Sequence, residues 1–239
     1  MDVLDTEVSG VRLTPYFQPY LLLDDPERVT GEILSKPDVS RQTEEFFTSL
    51  SVDDQFDILA WQIRLQHVMH DHMGAHVSIN VHNRVVETEE ARARFLDLVA
   101  QASAPTTFEF TETYPMPPVG ASNHLLRDIR TLGHSSALDD FGTGLNGMSL
   151  LTDYDFDIIK LDRSLVFDLP SRAEKRKTLR LVREMLQVLG KAHIVEGVET
   201  DEVLDILKEL GFRSFQGYYC GMPAPLASLV APPTEGALS

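Results

Sequence analysis

The sequence predicts an α/β fold in which a mostly parallel sheet closes into one barrel. Its 239 residues suit a barrel of about 250 residues built around one core. From about Val77 onward, short β-branched or aromatic runs alternate with longer helical patterns, which indicates parallel strands with right-handed crossovers. Eight strand candidates fit a barrel, although an open doubly wound sheet has the same local pattern. We predict a TIM-like (β/α)8 barrel with one antiparallel strand near the N-terminus, formed by a single domain over residues 1–239.

The predicted strands are short and separated by turns or helices. They cover residues 16–23, 29–33, 77–80, 107–111, 136–139, 157–161, 193–196 and 214–218. Only the turn-rich Asp24-Asp25-Pro26 separates the first two strands, so these two cannot be parallel neighbours. This short connection is the reason for the antiparallel strand in the prediction.

Helices are predicted from Ser51 to about His70 and at residues 87–102, 122–132, 172–189 and 201–210. Ser51, Ser171 and Thr200 stand where helices begin, and their hydroxyls suit the capping of free backbone N–H groups. Gly190 and Gly211 stand where two of the helices should end.

Bulk composition limits the function classes. The formal net charge of −16 argues against a nucleic-acid binder that works by phosphate neutralisation, so no DNA partner is expected. The lone cysteine, Cys220, cannot form an internal disulfide, which fits a reducing compartment. The acidic N-terminus is not typical of a secretory signal, and no apolar run approaches the roughly 20 residues that span a bilayer. We therefore expect a cytoplasmic protein with no membrane span.

Polar side chains stand at the ends of seven predicted strands. They are Glu32, Asn80, Glu109, Asp139 with Asp140, Lys160 with Asp162, Glu196, and Gln216. The carboxyl ends of parallel strands meet at one mouth of a barrel, where barrel enzymes place catalytic groups. A single acid at a strand end is more often a helix cap or a solvated charge, but that explanation does not suit the whole set. Such hard oxygen ligands select Mg²⁺, Mn²⁺ or Ca²⁺, and two ions can clamp the oxygens of a phosphodiester displacement.

Short motifs containing these residues follow one another along the chain. They are Phe17-Gln18-Pro19, Glu32-Ile33-Leu34, Ser78-Ile79-Asn80, Glu109-Phe110-Thr111-Glu112, Asp139-Asp140-Phe141-Gly142-Thr143-Gly144, Lys160-Leu161-Asp162-Arg163-Ser164, Glu196-Gly197-Val198-Glu199 and Gln216-Gly217-Tyr218. The motifs at 139–144 and 196–199 are together specific, whereas a bare Glu-Ile-Leu is not. In these motifs the sequence resembles the EAL-domain cyclic di-GMP phosphodiesterases, from about residue 16 to residue 225.

This resemblance implies that the protein hydrolyses cyclic di-GMP to the linear dinucleotide pGpG with two divalent ions, Mg²⁺ or Mn²⁺. By resemblance, the metal ligands are Glu32, Asn80, Glu109, Asp139, Asp140 and Glu196. The catalytic residues are Lys160, Glu196 and Gln216, and whether Lys160 or Glu196 is the general base stays open. By the same resemblance, the residues that bind substrate are Gln18, Lys36, Asp162 and Pro223. The residues that support neighbouring loops are Glu112 and Glu199. Glu199 is equally well explained as an acid at the start of a helix.

Two departures from the family pattern leave other functions open. Lys36 stands where the family usually has an arginine that contacts a phosphate, and lysine lacks the bidentate fork. Leu145-Asn146-Gly147 follows Gly144, where the family often has Tyr-Ser-Ser. The alternative is an EAL domain with weak or no catalysis that acts as a cyclic di-GMP receptor or an adaptor for a regulatory protein. A different metal-dependent barrel enzyme is a further alternative, and a homodimer is neither indicated nor excluded.

Overall fold

The computed structural model describes residues 4–39, 43–111, 115–143 and 147–230. Its strands are β1 Thr6–Val8, β2 Val11–Leu22, β3 Thr30–Pro37, β4 His76–Val81, β5 Thr107–Thr111, β6 Ser135–Phe141, β7 Ile158–Leu161, β8 Ala192–Val195, β9 Ser214–Gln216 and β10 Ala224–Pro225. Its α-helices are α1 Thr43–Ser49, α2 Val52–Met73, α3 Glu89–Val99, α4 Val119–Thr131, α5 Gly147–Asp153, α6 Ala173–Val188, α7 Asp201–Glu209 and α8 Leu226–Val230.

Strands β2 to β9 form a closed barrel. Each strand pairs with the next along the chain, and β2 also pairs with β9, which closes the ring. β2 runs antiparallel to both neighbours, with Gln18 opposite Glu32 and Tyr20 opposite Gln216. The pairs from β3 to β9 are parallel. The predicted TIM-like barrel with one antiparallel strand is therefore confirmed.

Side chains along each strand alternate between the outer face of the barrel, which packs against the helices, and the inner face, which lines the barrel. In β5, Phe108 and Phe110 are fully buried and pack on Phe95 of α3, with ring centroids 5.7 and 6.0 Å away. Glu109 lies between them and therefore points to the opposite side, into the barrel. Lys160 has the same position between Ile159 and Leu161 of β7, which are also fully buried. In both strands the apolar side chains on the outer face thus orient the polar side chain between them toward the inside of the barrel.

Most of the predicted helix boundaries are confirmed. Ser51 caps α2 in a capping box with Asp54, and the Thr200 hydroxyl accepts a hydrogen bond from the Val203 N–H at 3.2 Å. Ser171 as a cap is wrong, because it ends a 3₁₀ turn over Leu169–Ser171 and Arg172 takes the cap position of α6. Its hydroxyl instead donates to the carbonyl of Asp168 at 3.0 Å. None of the helices in the described ranges has the length and apolar character needed to cross a membrane.

Candidate metal centre at the barrel mouth

Lys160 lies at the centre of a cluster of carboxylates. Its side chain is 1% exposed, and its Nζ lies 2.7 Å from an oxygen of Glu109 and 2.9 Å from oxygens of Asp139 and Glu196. An oxygen of Glu32 lies 3.3 Å away. The structure therefore brings together four acids that are up to 164 positions apart in the sequence, from Glu32 to Glu196. Convergence follows from the barrel, which places Glu32 beside the carboxyl ends of β5, β6, β7 and β8; Glu32 lies near the start of β3, which continues to Pro37, and not at the strand end that the sequence predicted.

Glu32 holds the most hydrogen bonds of the cluster. Its carboxylate accepts from the side-chain amides of Asn80 at 2.5 Å and Gln216 at 2.8 Å, in addition to the bond from Lys160. Burial alone would raise its pKa, but the ammonium of Lys160 and the two amide donors hold the pKa below its ordinary value. Glu32 is thus ionised and fixed in place at neutral pH.

The other acids of the cluster resist ionisation. Burial raises the pKa of Glu109 well above its ordinary value, and Glu32 and Asp139 add to this while Lys160 opposes it. Burial raises the pKa of Asp139 and brings that of Glu196 to about 8. The single ammonium of Lys160 therefore does not compensate all the carboxylates around it.

A β-bulge sets the direction of the two adjacent aspartates. In a regular strand Asp139 and Asp140 would point to opposite faces, but Asp140 has a φ of +60° and the register of β6 with β7 shifts between Leu138 and Phe141. As a result, oxygens of Asp139, Asp140 and Glu196 lie within 4.8 Å of one another. Burial and the nearby charge of Asp139 raise the pKa of Asp140 to about 6.

Close backbone packing positions Glu196 and Gln216. The loops after β8 and β9 lie against each other, since the Val198 N–H donates to the Gln216 carbonyl at 3.1 Å. Gly217, with a φ of +154°, leaves no room for a side chain there, because an added Cβ would lie 2.2 Å from the Val198 carbonyl oxygen. A Cβ added at Gly197, which has a φ of +71°, would lie 2.3 Å from the Cβ of Arg163 in the segment after β7. Gly217 is thus needed for the approach of the loops after β8 and β9, and Gly197 for the approach of the loop after β8 to the segment after β7.

The donor set suits divalent cations. Four carboxylates contact the Lys160 ammonium, and a fifth, that of Asp140, lies beside Asp139 and Glu196. Full ionisation of these five acids and one ammonium leaves four formal negative charges, which two divalent ions would neutralise. The raised pKa values of four of the five acids show the same imbalance. All the donors are carboxylate or amide oxygens, the ligands that Mg²⁺ and Mn²⁺ prefer. The residues present therefore fit a centre of two hard divalent ions.

Two clefts flank this cluster. The first has a volume of about 380 Å³ and is lined at its inner end by Glu32, Asn80, Glu109 and Asp140. Its outer part lies between β3 and helices α1 and α2. The second has a volume of about 330 Å³ and contains Gln18, Asp140, Asp162, Glu196, Glu199 and Gln216. The carboxylates thus lie between two spaces that each have room for part of a ligand.

The remaining predicted residues differ in their distance from the cluster. Gln18 receives a hydrogen bond from Gln216 at 3.1 Å, and Asp162 lines the second cleft while its carboxylate accepts from the Ser164 N–H. Lys36 and Pro223 line neither cleft, and the exposed Lys36 ammonium lies 5.1 Å from the ring centroid of Tyr16. Glu112 lies outside the described residues, as do Leu145 and Asn146 of the altered loop.

Sequence reasoning missed three side chains that contact or adjoin the site. The Tyr20 hydroxyl donates to Glu109 at 3.0 Å, and the Thr111 hydroxyl donates to Asp140 at 3.4 Å. Tyr20 follows Gln18 by two positions on β2, so period-two alternation places both on one face and could have identified it. Gln62 of α2 lines the first cleft, and no motif marked it.

Comparison with known proteins agrees with this fold. The EAL domain profile matches residues 2–223. The cyclic di-GMP phosphodiesterase NbdA of Pseudomonas aeruginosa is 29% identical over 232 residues, which are 91% of this chain and 30% of NbdA. This chain spans only 15% to 21% of three curated relatives to which it is 33% to 40% identical.

Solved structures share the same architecture. The EAL domain protein of Listeria monocytogenes has a TM-score of 0.77 at 23% identity, over 91% of this chain and 90% of the other. At this identity the similarity is evidence for the fold alone. The manganese and cyclic di-GMP complex of Klebsiella pneumoniae BlrP1 has a TM-score of 0.75 at 26% identity, over 92% and 58% of the two chains. With a profile match over nearly all its length and a barrel of the same form, the chain belongs to the EAL domain family.

Proposed function

We propose that this chain hydrolyses cyclic di-GMP to pGpG in a reaction that depends on two divalent ions, Mg²⁺ or Mn²⁺. The observation that carries the proposal is the cluster of five carboxylates around Lys160, open to a cleft on either side. The phosphodiesterase relatives and the manganese complex of BlrP1 support it.

The metal ligands in this proposal are the six oxygen donors at the mouth. They are Glu32, Asn80, Glu109, Asp139, Asp140 and Glu196. Bound there, the ions would supply a hydroxide near neutral pH and neutralise charge on the phosphodiester. The remaining steps belong to the side chains of the chain itself.

Lys160 acts in this proposal as a fixed cation. The four carboxylates within 3.3 Å favour its ammonium form, and an ammonium has no lone pair with which to accept a proton. It can instead donate a hydrogen bond to the attacking water or to a phosphate oxygen. We take Glu196 as the general base, because it is 17% exposed and lines the second cleft, whereas Lys160 is 1% exposed. Gln216 orients Glu32 through the bond at 2.8 Å.

The substrate lies across the mouth in this proposal, with its scissile phosphate over the carboxylates and its two bases toward the two clefts. Gln18 and Asp162 contact the part in the second cleft. Glu199 stands one position before the cap of α7 and lines the same cleft, where it limits the space after β8.

Product analysis tests the proposal directly. The purified protein is incubated with cyclic di-GMP and Mg²⁺ or Mn²⁺, with a chelator as control, and products are separated by chromatography. We expect metal-dependent pGpG from the parent and none from Glu32→Ala, which loses a metal ligand and relieves charge crowding without unfolding the barrel. Parent-rate turnover by that variant would contradict the site assignment, and an inactive parent would contradict the proposed function.

The position of Lys36 favours a second candidate, a receptor that binds cyclic di-GMP without rapid turnover. Its ammonium lies over Tyr16 and outside both clefts, and a lysine lacks the bidentate fork with which an arginine holds a phosphate. We expect Lys36→Arg to lower KM several-fold with little change in kcat if the chain is an enzyme with weakened substrate binding. Binding of cyclic di-GMP by an inactive parent protein, measured by calorimetry, would instead favour the receptor.

A further inference from the structure

Tyr20 directs an uncharged hydrogen-bond donor at the carboxylate cluster. It lies on the inner face of β2, two positions after Gln18 and opposite Gln216 of β9. The residue is 9% exposed, and its hydroxyl donates to Oε1 of Glu109 at 3.0 Å, across 89 positions of sequence. The closure of the barrel between β2 and β9 therefore places this hydroxyl against an acid of the mouth.

The two oxygens of Glu109 have different partners. Oε1 accepts the bond from Tyr20, whereas Oε2 lies 2.7 Å from the Nζ of Lys160. The terminal torsion of a glutamate is broad, so a carboxylate with one partner still rotates about its Cγ–Cδ bond. Partners at both oxygens fix the plane of the carboxylate, and the fully buried side chain of Glu109 is held in this way.

These two partners respond differently to a divalent cation. Lys160 carries a positive charge, so a cation among the carboxylates repels it. Tyr20 is neutral, because burial and the neighbouring charge of Glu109 raise the pKa of its phenol well above the ordinary value. The hydroxyl thus keeps its proton and remains a donor to Glu109 with or without a cation nearby.

We infer that Tyr20 is a positioning residue of the metal centre, which holds Glu109 in the orientation that binds a divalent ion. The inference rests on the proposed function only in taking such an ion as the ligand of Glu109. Tyr20 lines neither cleft, so its effect passes through Glu109 and not through the dinucleotide. Side chains that orient a metal ligand typically contribute about 10- to 100-fold to metal affinity.

Metal titrations of Tyr20→Phe, which removes only the hydroxyl, test this inference. Binding of Mn²⁺ is measured by calorimetry at pH 8, without nucleotide, in the parent and in the variant. We expect the affinity to be about tenfold lower in Tyr20→Phe. Turnover of cyclic di-GMP should fall at limiting Mn²⁺ and return close to the parent kcat at saturating Mn²⁺, with KM for the dinucleotide unchanged. A merely structural role would lower Tm in chelator and leave the Mn²⁺ affinity unchanged.

Tyr154→Phe is the matched control. Tyr154 precedes β7, at the end of the barrel opposite the mouth, and its ring stacks on that of Phe156 with centroids 6.2 Å apart. This variant also loses one phenolic hydroxyl, but on the far side of the barrel from Glu109. It should therefore keep the parent affinity for Mn²⁺, and an equal loss in both variants would overturn the inference.

The outcomes separate the inference from the proposed function. Unchanged Mn²⁺ affinity in Tyr20→Phe overturns the inference and leaves the function standing. A parent that binds Mn²⁺ but hydrolyses no cyclic di-GMP overturns the function, and a weaker Tyr20→Phe then still supports the inference. A parent that binds no Mn²⁺ overturns both. If Tyr20→Phe unfolds in chelator, its refolding with Mn²⁺ yields the affinity by linkage, and failure to refold in excess Mn²⁺ would overturn the inference.

Discussion

Removal of the Lys160 charge should be strongly destabilising. In Lys160→Met, four carboxylates that now lie 2.7 to 3.3 Å from an ammonium lose the cation that they share. Leaving buried charges without their partner typically costs about 3–5 kcal/mol. For a chain of this size, 1 kcal/mol shifts Tm by about 2–4 °C, so we expect a fall of about 6–20 °C at pH 8 in chelator. Thermal unfolding followed by circular dichroism measures it.

Lys191→Met is the matched control for that prediction. Lys191 is partly exposed and donates to the carbonyls of Tyr154 at 3.3 Å and Phe156 at 2.9 Å, with no carboxylate in the contact. Its loss should cost about 1 kcal/mol, or about 2–4 °C. At pH 5 the gap between the two variants should shrink, because the crowded carboxylates take up protons. A Lys160→Met variant no less stable than Lys191→Met at pH 8 would refute the view that Lys160 compensates the cluster.

Further predictions concern pH, capping and loop packing. An acid whose pKa is higher in the folded than in the unfolded chain destabilises the fold as it ionises. The protein therefore loses stability as the pH rises from the pKa of the unfolded chain, about 4, to the pKa of the folded chain. With the pKa of Asp140 at about 6 and that of Glu196 at about 8, Tm in chelator should fall between about pH 5 and pH 8, and Mg²⁺ should stabilise most at pH 8; a flat profile in chelator would contradict this. Ser51→Ala should cost about 1 kcal/mol, seen as a Tm lower by about 2–4 °C, through loss of the capping box, whereas an unchanged Tm would mean the cap is dispensable. Gly217→Ala should lower both Tm and turnover, because its Cβ would meet the Val198 carbonyl at 2.2 Å; parent-like values would show that the two loops can separate without loss.

Several expectations from the sequence stay predictions. The single domain over residues 1–239, the homodimer and the regulatory partner are not tested by the structure of one chain. The roles of individual residues at the mouth likewise await the product analysis. What the structure does add is the position of Lys160, whose ammonium contacts four carboxylates.

The sequence by itself predicted the alternation of strands and helices and the set of polar strand ends, and the closure of the sheet by the pairing of β2 with β9 is seen in the structure. Period-two alternation in segments such as Phe108-Glu109-Phe110 states which side chain faces the interior, and parallel strands bring their carboxyl ends to one mouth. These are local rules, so they could be applied without knowing any long-range contact. The short turn between the first two strands likewise predicted the antiparallel strand.

Only the tertiary structure decided the direction of Asp140 and which side chains outside the motifs line the clefts. A bulge turns Asp140 toward Glu196, and a strand pattern cannot reveal it because the register with β7 shifts there. Gln62 became part of a cleft through the rotation of α2 against the barrel, which depends on packing across the whole domain. Ser171 lost its expected role because the preceding 3₁₀ turn extended to it. For Asp140 and Gln62 the outcome depends on contacts between segments far apart in the chain, and a local pattern contains no information about such contacts.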